Sequence, residues 1–169
     1  TTSRDIVFDL GSGDGRTVIA AAKLGATATG IEYNQDMVEL SKRSAAAAGL
    51  SSKATFMKAD LFETDFSKAT VITMFLLPSI HMQLRPKLLE LKPGTRIASN
   101  TFSLEDWAPD ETATIGGDCA SWCTALLWIV PANVEGAWQT LQGTLTLTQA
   151  FQIVTGTLGG TEISEAGLV

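Results

Sequence analysis

Short apolar runs alternate with segments of helical hydrophobic spacing over the first hundred residues of the chain. The apolar runs contain β-branched residues, which is typical of buried strands. The segments between them repeat apolar residues every three to four positions, which predicts amphipathic helices. This alternation indicates a parallel sheet with helices on both faces. The predicted strands are residues 6–8, 26–32, 54–60, 70–77 and 96–102, and the predicted helices are residues 17–24, 34–49 and 79–91.

The pattern changes after residue 102. Residues 106–110 predict a loop, residues 124–130 an apolar strand, and residues 143–149 a strand in which polar and apolar residues alternate. No clear helix separates the last two segments, so we expect them to pair as an antiparallel hairpin that closes the sheet. The expected fold is therefore α/β, with a mostly parallel sheet and an antiparallel C-terminal hairpin.

A glycine-rich turn, Asp9-Leu10-Gly11-Ser12-Gly13-Asp14-Gly15-Arg16, joins the first predicted strand to the first helix. Glycine permits the sharp turn and lets a ligand approach the backbone, and the helix N-terminus offers free N–H groups. A dinucleotide fingerprint would place its third glycine at position 16, where this chain has arginine. The Asp9 carboxylate would repel a pyrophosphate and suits a ligand with an ammonium group, such as S-adenosylmethionine (SAM). An ordinary glycine turn without a ligand is the alternative.

Two further acids end the second and third predicted strands. Glu32 follows the glycine turn by ~20 residues, where nucleotide-binding folds place a carboxylate that accepts from both ribose hydroxyls. Asp60 ends the third strand and can accept from the amino group of adenine. An acid at each of three strand ends therefore predicts an adenosine-containing ligand.

These segments resemble motif I and the following strand ends of the class I SAM-dependent methyltransferases, which have a Rossmann-like fold. The resemblance implies that SAM is the cofactor and that the N–H of Leu61 meets a ring nitrogen of its adenine. The residues that the resemblance assigns to SAM binding are Asp9, Gly11, Ser12, Gly13, Glu32, Tyr33, Asp60 and Leu61.

From Asp5 to about Asp110 the chain is similar to a narrower group. These are bacterial methyltransferases related to the lysine methyltransferases that modify the c-subunit of ATP synthase. Such relatives usually carry a segment ahead of the first strand that helps to cover the cofactor, and this sequence begins close to that strand. The matching segments are residues 9–16, 30–34, 59–62 and 102–109.

The composition is that of a globular protein. The chain has 169 residues, of which 45% are hydrophobic and 18% charged, and we expect one domain over residues 1–169. A net charge of −6 and the lack of a basic run argue against nucleic-acid binding. No apolar stretch is long enough to span a bilayer, and we expect a cytoplasmic location. The absence of an initial methionine and of a closing element leads us to expect a fragment or a trimmed chain.

The two cysteines and the single histidine give no sign of a metal site. Cys119 and Cys123 lack a second pair and a nearby histidine, so zinc has little support. We expect both cysteines to be small apolar residues in or near a strand, and not part of a disulfide framework. For His81, which lies at the start of a helical segment, we expect a surface or helix-start role.

The methyl acceptor is only partly constrained by the sequence. The fourth predicted strand ends in Phe75-Leu76-Leu77-Pro78, which lacks the Asn/Asp-Pro-Pro-Tyr/Phe of methyltransferases that act on base amines or glutamine amides. Such substrates are therefore disfavoured. Trp107 is as well explained as a packed loop aromatic, and no general base is identifiable. By position alone, the acceptor-side candidates are Thr73, Leu76, Asn100, Glu105, Asp106 and Trp107.

We therefore expect a SAM-dependent methyltransferase, with a protein lysine as the expected acceptor. A nicotinamide-dependent dehydrogenase is disfavoured by Asp9 and Arg16, and NAD binding without SAM binding would indicate it. A non-catalytic module that holds SAM or its product, S-adenosylhomocysteine (SAH), is the other alternative, because no general base is found. Aminopropyl transferases share the cofactor pattern, but the chain has no acidic polyamine-binding signature.

Overall fold

The computed structural model describes residues 1–167, which form two sheets and three helices. None of the helices in this part of the chain is both long and apolar enough to cross a membrane. In chain order the elements are β1 (Ile6–Leu10), α1 (Arg16–Lys23), β2 (Thr27–Glu32), α2 (Gln35–Ala47), β3 (Ala54–Lys58), β4 (Val71–Met74), α3 (Pro78–Leu89), β5 (Arg96–Asn100), β6 (Glu111–Thr114), β7 (Thr124–Ile129), β8 (Gly136–Thr140), β9 (Gly143–Ala150), β10 (Ile153–Leu158) and β11 (Thr161–Gly167).

The main sheet has seven strands in the order β3-β2-β1-β4-β5-β7-β6. The strands from β3 to β5 in this order are all parallel to their neighbours, and β7 runs antiparallel to both β5 and β6. This confirms the expected α/β class. The strand order reverses at β1, since β2 and β3 lie on one side of it and β4 and β5 on the other. Open α/β sheets bind ligands beside the carboxyl ends of the strands at such a point.

The antiparallel hairpin of the main sheet is present, but it does not consist of the two segments that the sequence predicted. β7 matches the predicted strand 124–130, and its hairpin partner is β6, where no strand was predicted. All four side chains of β6 are exposed, so this strand carries no apolar signal. The predicted strand 143–149 is β9, which pairs with β8 and β10 in the second sheet. The predicted pairing of the two segments was therefore wrong.

The two faces of the main sheet are buried against different helices. Val7 of β1 belongs to a buried cluster with Val18 of α1, whereas Leu10 belongs to a second cluster with Leu88 of α3. The split follows from the alternation of side chains along a strand. Asp9 shares the face of Val7 and therefore points toward the side on which α1 begins.

α3 continues through Pro86 as one helix. Pro78 stands in its first turn, where a missing N–H costs nothing. His81 lies near the start of this helix with its side chain fully buried, and its Nδ1 is 3.3 Å from the Ser103 carbonyl oxygen. Burial lowers the pKa of His81 and favours the neutral ring. Of the two roles expected for His81, the position near a helix start is confirmed and the surface position is wrong.

Cys119 and Cys123 form a disulfide, with their Cα atoms 5.9 Å apart. The bond closes a short loop between β6 and β7. The expectation that the two cysteines act as small apolar residues and not in a disulfide was wrong, although Cys123 does lie directly before β7. The physical reason is that the three intervening residues lie in a loop, where the backbone can turn and bring the two sulfur atoms together.

The second sheet, of strands β8 to β11, contacts the main body through the turn between β9 and β10. The Phe151 ring stacks on Trp107 with 5.7 Å between ring centroids, and the Arg85 guanidinium lies 5.5 Å from the Phe151 centroid. Beside it, the side-chain amide of Gln152 donates to the Ala108 carbonyl at 2.9 Å. This turn therefore ties the second sheet to the loop that follows β5.

Candidate functional site

The glycine turn after β1 is tied by its backbone to β2. The N–H groups of Gly11 and Ser12 both donate to the Ile31 carbonyl, at 2.9 and 3.0 Å. Gly15 has a φ of +79°, and a Cβ atom there would lie 2.6 Å from the Phe56 ring. Position 15 therefore requires glycine both for its left-handed backbone and for its close packing against β3.

Glu32, the last residue of β2, holds the glycine turn and the next helix together. One oxygen of its carboxylate accepts from the Gly13 N–H and the other from the Asn34 N–H, both at 2.9 Å. Asn34 in turn caps α2, because its side chain accepts from the N–H groups of Asp36 and Met37. A carboxylate oxygen has more than one acceptor position. Glu32 can therefore hold these backbone groups and still accept from ribose hydroxyls.

Asp9 is 5% exposed and accepts a 2.6 Å hydrogen bond from the hydroxyl of Thr73 on β4. Burial, assisted by the charges of Asp14 and Glu32, raises the pKa of Asp9 to about 6 despite this hydrogen bond. A carboxylate that is costly to ionise on its own gains from a cationic ligand beside it. Asp9 therefore fits the ammonium group of a bound SAM.

Within the glycine turn, the space beside Gly13 is open to a ligand. Gly13 has a φ of +52°, and a Cβ atom there would meet nothing within 4 Å. The Ser12 hydroxyl is buried and has no hydrogen-bond partner among residues 1–167. It lies so close to Gly30 that a Cβ at that position would be 2.5 Å away. The buried Ser12 side chain therefore packs beneath the turn, and the backbone of Gly13 is accessible to a ligand.

A first cavity, of about 380 Å³, lies at the ends of β2 and β3. Tyr33 is 76% exposed at its edge. Asp60 accepts from the Phe62 N–H at 2.8 Å through one carboxylate oxygen, which leaves acceptor positions for a ligand. Apolar walls with two carboxylates suit an adenosine. The lining residues are Gly11, Ile31, Glu32, Tyr33, Ala59, Asp60, Leu61, Phe62 and Leu76.

A second cavity, of about 640 Å³, adjoins the first at Gly11, which lines both. Arg16 is the only Lys or Arg among its lining residues, and its guanidinium is paired with Asp14 at 2.5 Å. This cavity combines a buried carboxylate with apolar and aromatic surface. Its lining includes Asp9, Ser12, Gly13, Thr73, Phe75, Asn100 and Trp122.

The structure brings some of the predicted acceptor-side residues to these cavities and not others. Thr73 and Asn100 line the second cavity, and Leu76 lines the first. Trp107 is fully buried between Trp128 and Phe151, as the packed-aromatic alternative describes. Asp106 forms an ion pair with Arg85. The candidates that line neither cavity are Glu105, Asp106 and Trp107.

Two aromatic residues of the second cavity were not among the predicted site residues. Phe75 was predicted only as part of the end of the fourth strand, and Trp122 was not predicted at the site at all. Trp122 lies in the loop between β6 and β7. Because β6 was not predicted, nothing in the sequence indicated that this loop reaches the carboxyl ends of the parallel strands.

The match to a family profile covers the cofactor side of the site. The profile of the ANTKMT methyltransferase domain matches residues 9–111. This stretch contains the glycine turn and the acids at the ends of the first three strands. The chain belongs to this family.

Individual relatives agree with the ANTKMT-family assignment. The chain is 43% identical over 114 residues to a protein-lysine N-methyltransferase of Saccharolobus islandicus, covering 66% of this chain and 71% of the relative. It is 40% identical over 116 residues to the lysine N-methyltransferase of the ATP synthase c-subunit from Mus musculus, covering 68% of this chain and 47% of the relative. The chain thus spans about half the length of the mouse relative.

A solved structure extends the likeness of this ANTKMT-family chain to the fold and the cofactor. It is the RNA methyltransferase of Salinibacter ruber in complex with SAH, with a TM-score of 0.72 and 44% sequence identity. The match covers 79% of this chain and 85% of that protein. The ANTKMT-family chain therefore has the class I Rossmann-like methyltransferase fold, and SAM is its cofactor.

Proposed function

We propose that this chain transfers a methyl group from SAM to the side-chain amine of a protein lysine. The observation that carries the proposal is the second cavity, which joins the cofactor-side Asp9 to the exposed rings of Phe75 and Trp122. An extended alkyl chain that ends in an amine suits such a cavity, because its stem contacts apolar surface and its amine reaches the polar groups. The lysine methyltransferases of Saccharolobus islandicus and Mus musculus support the same acceptor.

The reaction requires little covalent chemistry from the protein. SAM supplies a methyl group on a sulfonium, from which a nucleophile can displace it. A lysine must first lose a proton to water or to a base. The neutral nitrogen then forms the N–C bond as the C–S bond breaks, leaving a methylated ammonium and neutral SAH. Most of the rate gain in such a displacement comes from alignment, which can contribute roughly 7–11 kcal/mol.

The chain's own residues orient the reactants. Asp9, held by Thr73, attracts the ammonium of the cofactor, and Glu32 accepts from its ribose while it holds the Gly13 N–H. As the acceptor amine leaves water and approaches the sulfonium, its pKa falls, because desolvation and a neighbouring positive charge both disfavour the ammonium form. Desolvation of the acceptor therefore takes part of the role that a general base would otherwise have.

RNA is the second candidate acceptor, since the Salinibacter ruber neighbour is named an RNA methyltransferase. The net charge of the chain argues against an RNA acceptor. Contacts to phosphates need clustered lysine and arginine, whereas this chain has a net charge of −6. The second cavity also offers only Arg16, which Asp14 already neutralises. A protein acceptor is therefore the better match.

The test begins with the cofactor. Calorimetric titration of the purified chain with SAH should show binding, whereas NAD, the control ligand, should show none. NAD binding in place of SAH would revive the dehydrogenase alternative. Binding of neither would contradict the whole assignment.

The acceptor is then identified by transfer of a radiolabelled methyl group from SAM to a cell extract. We expect label that survives ribonuclease, is released by protease and elutes as methyl-lysine after hydrolysis. The Asp9→Ala variant, which should not hold the cofactor, is the control. Label that only ribonuclease removes would instead establish the RNA acceptor. SAH binding without label in either fraction would indicate a non-catalytic binding module.

A further inference from the structure

Three aromatic rings cluster where β4, β5 and the β6–β7 loop meet. Phe75 and Phe102 are stacked, with ring centroids 5.9 Å apart and planes 13° apart. Trp122 meets Phe75 edge-on at 5.5 Å and lies tilted against Phe102 at 5.6 Å. The three rings thus form a small three-sided aromatic cluster, contributed by three separate segments of the chain.

This aromatic cluster is partly exposed to solvent. Phe75 is 48% exposed and Trp122 is 53% exposed. Within residues 1–167, none of the three rings belongs to either of the two buried clusters of the main sheet. Exposed aromatic surface of this kind contributes little to folding and is typical of a binding surface. Phe75 and Trp122 also line the second cavity, so the cluster faces the space beside Asp9 and Gly13.

The surrounding structure fixes the rings in place. Trp122 has a φ of +60°, an uncommon backbone conformation for a bulky residue, and it stands directly before Cys123 of the disulfide. The Cys123 carbonyl accepts from the Ile115 N–H at 2.8 Å, which ties the loop across the hairpin. Non-glycine residues at positive φ persist only where their surroundings hold them, and they concentrate at functional sites. Trp122 is therefore positioned by the disulfide-closed loop.

We infer that Phe75, Phe102 and Trp122 form the subsite that receives the alkylammonium side chain of the methyl acceptor. The inference rests on the proposed lysine acceptor and adds the residues that recognise it. Ring faces attract an ammonium through their quadrupole and give its methylene stem apolar contact. The rings therefore collect the protonated lysine at the cavity and hold the methylated product, which keeps its positive charge.

Two features of the chain favour a cation over the other partners of aromatic rings. Asp14 and Arg16 neutralise each other in the lining of the second cavity, which leaves Asp9 as the one charged lining residue without an ion-pair partner in the described part of the chain. A stacked nucleobase would bring phosphates, for which no cationic partner is present in that lining. The negative net charge of the chain acts in the same direction.

The test follows the indole N–H signals of the SAH-saturated protein by NMR. The chain has four tryptophans, Trp107, Trp122, Trp128 and Trp138, whose signals single Trp→Phe variants assign. The probe is Nα-acetyl-Nε-trimethyllysine amide, and its control is the uncharged isostere with a tert-butyl group in place of trimethylammonium. The Trp122 signal should shift saturably with the cation and at least tenfold more weakly with the isostere. Trp138, which is 50% exposed on β8, should not shift.

Substitutions supply the second measurement. Trp122→Ala should weaken binding of the trimethyllysine probe at least tenfold, as followed by saturation transfer to its methyl groups, while SAH affinity stays unchanged. Trp122→Phe should restore most of the binding, and Trp138→Ala is the matched control that changes nothing. Equal shifts with both probes, a shift of Trp138 alone, or a response to adenosine monophosphate instead of the cation would each overturn the inference. Because the probe assay needs no turnover, its result is independent of whether lysine methylation is detected.

Discussion

Asp9 and Thr73 are register partners on the neighbouring parallel strands β1 and β4, and the Thr73 hydroxyl donates to the Asp9 carboxylate at 2.6 Å. Even so, the pKa of Asp9 is raised to about 6, chiefly because the carboxylate is buried. The folded chain therefore carries an acid that would be easier to ionise in water. Such a group opposes folding and supports ligand binding, which is a recurrent arrangement at functional sites.

Replacing Asp9 by Asn should stabilise the ligand-free chain at neutral pH. Between pH 3.8 and about 6 the folded protein binds more protons at this site than the unfolded one. Stability is therefore highest below that window and falls as the pH rises through it. Asn retains an acceptor for Thr73 without the charge, so we expect a gain on the order of 1–3 kcal/mol at pH 7.

Urea unfolding of both proteins at several pH values measures this gain. The difference between the two should grow from pH 4 to pH 7. His81, whose pKa is lowered by burial, contributes equally to both proteins and cancels in the difference. A variant less stable than the parent at pH 7 would contradict the prediction.

The same carboxylate should make SAH binding pH-dependent. Asp9, the proposed partner of the ligand's ammonium, can attract that group only when ionised, so the affinity should be constant above about pH 7. Below about pH 6 it should fall by up to tenfold per pH unit. Calorimetric titrations from pH 5 to pH 8 measure the slope. Asp9→Asn should bind weakly at every pH, and a wild-type affinity that is flat across the range would show that Asp9 does not contact the ligand.

The central part of the fold was predictable because its elements carry their own signals. β1 and β4 are largely apolar runs buried in the sheet, and the glycine turn needs glycine at position 15 for steric reasons. The cofactor half of the site follows from these elements, because parallel strands place their carboxyl ends together at one edge of the sheet.

The acceptor half of the site was not predictable in the same way. Trp122 reaches the cavity only because β6 pairs with β7, and the exposed Glu-Thr-Ala-Thr of β6 has no apolar periodicity. The disulfide likewise depends on a loop conformation and not on spacing. Trp107 shows the converse, since its position in the chain suggested the site although the ring is buried against Phe151.

Glu32→Ala should weaken SAH binding by roughly 10- to 100-fold, which corresponds to about 1.4–2.8 kcal/mol. Two losses are expected, because the carboxylate holds the Gly13 and Asn34 N–H groups and is also the proposed acceptor for the ribose hydroxyls. Hydrogen exchange should therefore accelerate at these two amides even without ligand. Glu63→Ala, at an exposed position, is the control. An unchanged hydrogen-exchange rate at the Gly13 amide would show that Glu32 does not hold the glycine turn, and would contradict that part of the prediction.

Gly30→Ala should destabilise the chain and disturb the cofactor site together. A Cβ at position 30 would lie 2.5 Å from the Ser12 hydroxyl and 2.8 Å from the Phe56 ring. Overpacking of this kind costs roughly 1–3 kcal/mol, and the displaced Ser12 should lower SAH affinity. Gly116→Ala, where a Cβ meets nothing within 4 Å, should change stability by less than about 0.5 kcal/mol. Urea midpoints and calorimetry on both variants compare them, and equal effects would refute the packing argument.

Phe151→Ala should release the second sheet from the main body without affecting the cofactor. The ring is the contact that stacks on Trp107 and lies beneath the Arg85 guanidinium. Its truncation should cost about 2 kcal/mol, less than the 3–5 kcal/mol typical of a fully buried Phe, because Phe151 is partly exposed.

Limited proteolysis should then cut preferentially between residues 132 and 167, while SAH affinity stays at the wild-type value. Leu141→Ala is the control, since that side chain is fully exposed. If SAH affinity fell together with stability in Phe151→Ala, the second sheet would be coupled to the cofactor site through Trp107 and the loop after β5.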